Sequence, residues 1–453
     1  MIHKFCMDDV RIVCDVYSGA VHVVSPVVYD LLDHVDELSP ALTDEALKAL
    51  SPVYGEETVR EAFDEIDELY RAGALFAPDG YAEIAKHWSK QPVVKALCLH
   101  ITHDCNLRCK YCFADTGEYG GGKRSFMSPE VGKKAIDFVI ANSAKRKNIE
   151  IDFFGGEPLM NFDAVKEILE YAEEQGKEHD KHFRFTITTN GLLLDDEKIA
   201  YINEHMGNIV LSIDGRKEVN DAVRTRVDGT GCYDKILPRF KQVAESRNQD
   251  NYYVRGTFTA NNLDFSLDAL HLADLGFEQI SIEPVVLADG HPLALKEEHL
   301  PKLYDEYESL ARAYVKRRAN GQFFNFFHFM MDFSQGPCAY KRLAGCGAGC
   351  EYVAVTPDGD IFPCHQFVGN NDYKMGNVFD GKLNPELQGK FAATNIYTKD
   401  ACRDCWAKFY CSGGCMANAV NFNGDVNKPY EIACDLERKR VECAMYIAAK
   451  EQG

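Results

Sequence analysis

Hydrophobic and polar residues change their rhythm several times along this chain. The first segments, IHKFCM, VRIVCDV and AVHVV, alternate or run apolar at strand length, with turn residues DD and SG between them, so a small sheet opens the chain. After Pro26 the period lengthens. VVYDLLDHV, DEALKAL and EETVREAFDEIDELYRAG read as helices, and the last sets Val59, Ala62, Phe63, Ile66, Leu69 and Tyr70 on one face before Gly73 stops it. Residues 1–85 are thus winged-helix-like. Their helices are acidic, which argues against a reader of DNA grooves. A sheet edge offered to an extended peptide is the more sensible physical use, beside a plain packing module with no ligand.

From residue 93 the pattern becomes regular. Short apolar strands KALCLHI, IEIDFF, FRFTIT, NIVLSI, YVRGTF and QISIEPV are separated by helical stretches such as PEVGKKAIDFVIANSAK and NFDAVKEILEYAEEQ. This alternation implies an α/β fold with a parallel sheet. Six βα units are too few for a closed eight-stranded barrel, so residues 93–295 are expected to form a partial, TIM-like (β/α)6 barrel with its chemistry at the C-terminal ends of the strands. The informative loops sit there: GGEP at 155–158, TTNG at 188–191, and Ser212 with Asp214 at the end of strand four. Residues 296–337 read as a helical bridge running into GQFFNFFHFMMDFSQG, whose aromatics suit core packing. Residues 338–453 become Gly and Cys punctuation with brief strands EYVAV and DIFPC, too little to bury much apolar surface alone, so metal is expected to supply the missing stability.

Composition narrows the partners. With 70 acidic against 50 basic side chains the formal charge is -20, which repels phosphate backbones and anionic lipid, so neither nucleic acid nor membrane is expected as a partner. No signal-like or membrane-length apolar run is found, and the expected location is the cytoplasm. In a reducing compartment 17 cysteines point to metal rather than disulfides. One group is Cys105, Cys109 and Cys112; ten more crowd residues 338–443. Cys6, Cys14, Cys98 and Cys232 are scattered singles, best read as small buried hydrophobes.

The three thiols in THDCNLRCKYCFADTG have no fourth ligand beside them, whereas structural zinc and ferredoxin-type clusters take four. Three leave one iron of a [4Fe-4S] cluster open to a substrate or cofactor. In the spacing CX3CX2C and in CNLRCKYCFA the segment resembles the radical SAM enzymes. The resemblance implies that Cys105, Cys109 and Cys112 hold a cluster whose open iron is chelated by S-adenosylmethionine. It further implies that Gly155, Gly156 and Glu157 form the loop near the cofactor's amino group, the glycines allowing close backbone approach. Ser212 and Arg224 match positions that contact the methionine carboxylate or ribose, and Tyr111 and Phe113 would line the adenine. Reductive cleavage of the sulfonium and hydrogen abstraction by an adenosyl radical are the implied chemistry, in a dry, enclosed site.

The tail, GCGAGCEYVAVTPDGDIFPCHQF and then CRDCWAKFYCSGGC with Cys434, resembles the SPASM extension of such enzymes, which carries two auxiliary clusters. The resemblance assigns Cys402, Cys405, Cys411 and Cys434 to an outer cluster and Cys346, Cys364 and Cys415 to an inner one. Cys350 and Cys338 are candidates for the inner cluster's fourth ligand; if neither binds, a substrate cysteine is expected to complete it. A zinc ribbon is the competing reading of CX2C.

Nearly end to end, SGAVHVV, CNLRCKYCFA and EYVAVTPDGDIFPCHQFVG look like the maturases of SCIFF peptides, ribosomal peptides with six cysteines. That resemblance implies a leader-recognition element in residues 1–85, three [4Fe-4S] clusters, a cysteine-rich precursor peptide and a cellular electron donor as partners, and thioether crosslinks from peptide cysteines to neighbouring residues, threonine among them. Other SPASM chemistry, either sulfatase-type oxidation of Cys or Ser or a carbon-carbon crosslink, stays open at this point, as does a non-enzymatic electron carrier with a peptide-binding head. Asp358, Asp360 and His365, near the inner ligands, suit turn or surface roles as well as that of a base.

Overall fold

The computed structural model describes residues 1–87, 92–120, 123–333 and 342–452; Cys338 lies outside them. Strands β1 (Ile2–Met7), β2 (Val10–Asp15) and β3 (Val21–Val23) form an antiparallel sheet in that order. Helices Pro26–Leu31, Asp44–Tyr54 and Glu56–Arg71 follow, the first two capped by the side chains of Ser25 and Thr43 on the backbone N–H groups of Val28 and Ala46. Val59, Ala62 and Ile66 pack with Val13, Leu31 and Leu50 in a local core. Tyr70, expected on the same face, is 38% exposed because its position turns beyond the edge of that stripe.

The opposite face of this sheet, through Met7, Val10, Ile12 and Cys14, joins the main core of the molecule. The module also grips the cysteine-rich tail. The His3 ring stacks on Trp406 with centroids 3.7 Å apart, Tyr81 meets Phe409 at 4.8 Å, and the Tyr397 hydroxyl donates to Asp79 at 2.8 Å.

Strands β4 (Ala96–Thr102), β6 (Asn148–Gly155), β7 (His182–Thr189), β8 (Asn208–Ser212), β10 (Tyr252–Phe258) and β11 (Gln279–Pro284) pair in parallel, with helices packed outside, as the six expected units. Two short strands, β5 (Leu107–Cys109) and β9 (Arg224–Arg226), pair antiparallel above the barrel mouth. Helices Pro129–Asn142 and Phe162–His179 approach so closely that a Cβ on Gly132 would come 2.1 Å from Ile168 Cδ1.

The tail does not stand alone. Its strand β13 (Tyr352–Val355) lies parallel along the free edge of β4 and continues antiparallel into β14 (Asp360–Phe362), β15 (Gly376–Asn377) and β16 (Lys382–Leu383). Val353, Val355 and Ile361 enter the barrel core. The brief strands therefore draw stability from an existing sheet edge, a source that the expectation of metal alone left out. At the other edge β12 (Asn325–Phe326) pairs with β11, and helix Leu300–Ala319 packs on the last helix, Glu431–Gln452. Among the bridge aromatics Phe324, Phe326 and Phe329 are buried as expected, whereas Phe323 and Phe327 are exposed. Cys14, Cys98 and Cys232 are buried, but Cys6 is exposed because it sits on an outer strand of the first sheet.

Because β14 shares the barrel core, Ile361→Ala should destabilise the whole molecule by about 2–5 kcal/mol. A lower urea midpoint by circular dichroism is the expected result; an unchanged midpoint would show that the tail strands hold no share of the core.

Candidate active site

The three-cysteine loop leaves the C-terminal end of β4. The β4–β6 register shifts between His100 and Thr102, and Gly155 takes φ +124° opposite Thr102. A Cβ on Gly155 would lie 2.3 Å from the Thr102 carbonyl oxygen, and one on Gly156 1.9 Å from that of Asp104. The Gly156 and Glu157 N–H groups donate to those same oxygens at 2.8 and 2.9 Å. The glycines thus let two loop backbones touch, a closer cause than the cofactor approach expected from sequence. A second clamp holds the loop from above, since β5 runs through it and sets Cys109 opposite Arg224 of β9.

Glu157 is buried beneath this loop. Its carboxyl accepts from the Thr189 hydroxyl at 2.8 Å and from the Asn190 and Leu159 N–H groups at 2.7 and 3.0 Å, tying GGEP to TTNG. Burial pushes this carboxyl up to about 7, partly offset by those donors. Asp214, wholly buried, is a second anchor. Its Oδ2 accepts from the Tyr111 hydroxyl at 2.7 Å and lies 3.0 Å from Arg224 Nε, and its Oδ1 accepts from the Thr257 N–H at 3.0 Å. Arg224 Nε is close to Asp214 but not aligned for a hydrogen bond, so the contact is an ion pair. Arg224 is therefore already neutralised, which the sequence did not reveal.

Cys105, Cys109, Tyr111, Cys112, Phe113, Gly155, Gly156, Ser212 and Arg224 line one cavity of about 150 Å³, with Phe154, Thr188 and Asn190. Every candidate of the barrel except Glu157 is on its wall. Burial pushes the Cys105 thiol up to about 12 and that of Cys109 up as well, so metal must displace their protons to bind. The donor set fits an open-iron cluster with an amino-acid nucleoside beside it: three thiols, aromatic faces, a hydroxyl and a guanidinium.

A second cavity, of about 220 Å³, shares Tyr111, Phe113, Ser212 and Arg224 with the first and continues along Arg255, Thr257, Glu283, His365 and Gln366. Sequence reasoning missed Arg255 and Glu283. The available signal was their place: charged residues in apolar strands, Arg255 midway along β10 and Glu283 near the C-terminal end of β11, in the alternation that faces the barrel interior. His365, given a turn or surface role as one option, is packed against Phe113 at 5.6 Å and Phe154 at 5.2 Å. Asp358 is exposed, and Asp360 pairs with Lys374 at 2.8 Å, as turn and surface roles require.

The tail thiols fall into two groups by mutual electrostatic reach. Cys364 feels Cys415 and Cys346; Cys402 feels Cys405 and Cys411, and Cys434 feels Cys402 and Cys405. Cys350, buried, directs its thiol to the Gln388 carbonyl at 3.6 Å. Among the described residues no three His, Cys, Asp or Glu side chains converge on a point suited to a single metal ion.

An open parallel half-barrel with three thiols at its mouth, joined to a cysteine-rich sheet extension, is the architecture of a radical SAM domain followed by a SPASM domain. Comparison agrees: residues 99–270 match the radical SAM superfamily and residues 346–406 the SPASM iron-sulfur cluster-binding domain. The two domains indicate S-adenosylmethionine and iron-sulfur clusters as cofactors. The chain is 25% identical over 364 residues to the radical SAM cyclopropyl synthase TigE of Paramaledivibacter caminithermalis, covering 76% of this chain and 72% of that one. It is 24% identical over 344 residues to a cysteine-type anaerobic sulfatase-maturating enzyme of Clostridium novyi, covering 72% and 88%. Among solved folds, anSMEcpe with bound AdoMet and Kp18Cys peptide superposes with TM-score 0.64 at 18% identity over 79% of this chain and 99% of that one. SuiB of Streptococcus suis bound to the precursor peptide SuiA gives 0.53 at 17% over 95% and 97%.

Two outcomes follow from the buried anchors. Asp214→Asn leaves the Arg224 cation buried and unpaired, and denaturant unfolding should show a loss of about 3–5 kcal/mol; a variant as stable as the parent would mean that Arg224 has another counter-charge. The Glu157 carboxyl titrates higher in the folded chain than in the unfolded one, so its contribution is complete at pH values below an ordinary glutamate's and is lost as pH rises through about 7. Between pH 5 and 8 stability should fall by roughly 3 kcal/mol from this group. That slope should vanish in Glu157→Gln, and an identical slope in the variant would assign it to other residues.

Proposed function

We propose that this chain is a radical SAM peptide maturase that forms intramolecular cysteine thioether crosslinks in a ribosomally made, cysteine-rich precursor peptide. The observation that carries this reading is the continuous pair of cavities. One end is lined by Cys105, Cys109 and Cys112, and the far wall, His365 and Gln366, directly follows Cys364 of the inner cysteine group. A peptide residue in the second cavity would lie between the two sites.

In this reading Cys105, Cys109 and Cys112 hold the catalytic cluster, Cys402, Cys405, Cys411 and Cys434 the outer auxiliary cluster, and Cys346, Cys364 and Cys415 the inner one, making three [4Fe-4S] clusters. When bound, the catalytic cluster and S-adenosylmethionine supply the adenosyl radical that abstracts hydrogen. The chain's own residues orient the reactants. Gly155 and Gly156 present backbone to the cofactor, and Glu157 fixes their loop. Tyr111 and Phe113 give aromatic faces, Ser212 a hydroxyl, and Arg224, held by Asp214, keeps its remaining N–H groups for a carboxylate. An open inner site would be closed by a thiolate of the substrate.

The free edge of β3, with Val23 61% exposed, suits pairing with an extended leader peptide. The fold match to SuiB, which was solved with its precursor peptide, runs over 95% of this chain, against 79% for anSMEcpe. That wider span supports a peptide-recognition role for residues 1–85. A cellular electron donor completes the partners.

Each crosslink removes one hydrogen from a peptide carbon and one from a thiol while the sulfur stays. Anaerobic incubation of the reduced holoenzyme with S-adenosylmethionine and a six-cysteine precursor peptide carrying its leader should give, by mass spectrometry, loss of a hydrogen pair per crosslink with thiols protected from alkylation. Loss of sulfur would instead mark the sulfatase-type oxidation of cysteine to an aldehyde, which the Clostridium novyi relative's name makes the second reading. Loss of hydrogen with every thiol still alkylable would mark a carbon-carbon crosslink, and no cleavage of S-adenosylmethionine would mark an electron carrier.

A further inference from the structure

Two lysines of the tail are almost wholly buried, and they solve the cost of burial differently. Lys399 and Lys408 are each 2% exposed. A buried ammonium needs compensation from hydrogen bonds or opposite charge. Lys408 sits in a cage: it donates to the Arg403 carbonyl at 2.8 Å and lies over the rings of Tyr17, Tyr397 and Phe409 at 4.7, 5.2 and 5.5 Å. Lys399 has no such cage, and among the described residues it makes no ion pair with a carboxylate. Its Nζ donates to the Gly413 carbonyl at 2.6 Å.

Gly413 belongs to CSGGC, the turn between Cys411 and Cys415. Gly413 and Gly414 both have positive φ, +88° and +69°, and a Cβ on Gly413 would lie 3.4 Å from the ammonium. The turn thus wraps the cation. Burial disfavours the Lys399 ammonium, and the cysteines within its electrostatic reach are Cys402, Cys411, Cys415 and Cys434, three from the outer group and one from the inner. As the thiolates that a cluster requires, they would fill the place that a carboxylate takes elsewhere.

We propose that Lys399 is a positioning residue shared by the two auxiliary sites, its buried ammonium holding the CSGGC crossover turn and supplying the positive charge that faces the ligands of both. The inference rests on the reading that these cysteines hold clusters. Reduction of a thiolate-bound cluster adds negative charge, and a cation fixed nearby in a low-dielectric setting favours that state. Lys399 therefore raises the reduction potentials of both auxiliary clusters, which helps them accept an electron from substrate.

The test uses the anaerobically purified holoenzyme, with iron content and potentiometric titration followed by electron paramagnetic resonance. Lys399→Arg should keep both auxiliary potentials near those of the parent. Lys399→Gln can still donate to Gly413 but carries no charge; it should shift both auxiliary potentials to more negative values and leave the cluster on Cys105, Cys109 and Cys112 unchanged. Lys399→Met should add loss of auxiliary iron. Unchanged potentials in Lys399→Gln would overturn the proposal and leave only a turn-holding role. Full iron content in Cys402→Ala and Cys415→Ala would instead defeat the ligand reading itself, and the inference with it.

Discussion

The three-thiol loop and the inner cysteine group are placed by one strand. All seven residues of β4 are buried, so the strand is covered on both faces and must satisfy its backbone from both edges. β6 takes one edge and β13 the other. The first pairing brings GGEP against the cysteine loop. The second anchors the tail, and with it Cys346 and Cys364 on either side of the β13–β14 hairpin. The spacing between the three-thiol loop and the inner cysteine group is thus a property of a parallel ladder rather than of a linker. The proposed function, with a hydrogen atom taken at one site and an electron accepted at the other, would need that spacing held, and a tail built into the barrel's own sheet holds it.

Around this frame the buried charges of the site and the tail are compensated in several ways. Arg224 and Asp214 form an ion pair that also fixes Tyr111. Glu157 has no cation and is held by three donors, with its carboxyl shifted upward. Lys408 rests among aromatic rings, and Lys399 faces sulfur. Buried polar groups of this kind are costly unless fully met, and when met they allow few alternative geometries.

The barrel was legible because its signals are local. Apolar runs of strand length, helical periods and turn residues name the elements, and CX3CX2C at the end of the first strand names the mouth. The tail thiols stand out in the sequence through their spacing. What escaped depended on contacts between distant segments. Nothing in GGEP says that its glycines clear the backbone of residues 102 and 104, since that follows from the β4–β6 register. Arg255 and Glu283 looked like ordinary strand charges until the barrel curved them toward one cavity. His365 follows a cysteine in a turn, and only the pairing of β13 with β4 carries it against Phe113 and Phe154. Cys6 failed in the other direction, because a strand's sequence does not state that it will lie at the edge of its sheet.

The same distinction explains the first module. Its strands and helices were readable, but its attachment was not, because the partners lie far along the chain. Several of them converge on one short segment, between the outer-group cysteines Cys402 and Cys411, where Trp406 meets His3, Lys408 meets Tyr17 and Phe409 meets Tyr81, while Tyr397 and Tyr446 donate to Asp79 and Asp8. A segment of that length with cysteines at both ends buries little apolar surface by itself. Packed against the module it gains aromatic faces and a filled cage for its buried lysine. The module in turn gains a fixed seat, with the far edge of its sheet, β3, left free. An extended peptide paired there would be held by a module whose opposite contacts run straight into the outer cysteine group, so in the proposed function recognition and redox chemistry would share one packed unit instead of two tethered ones.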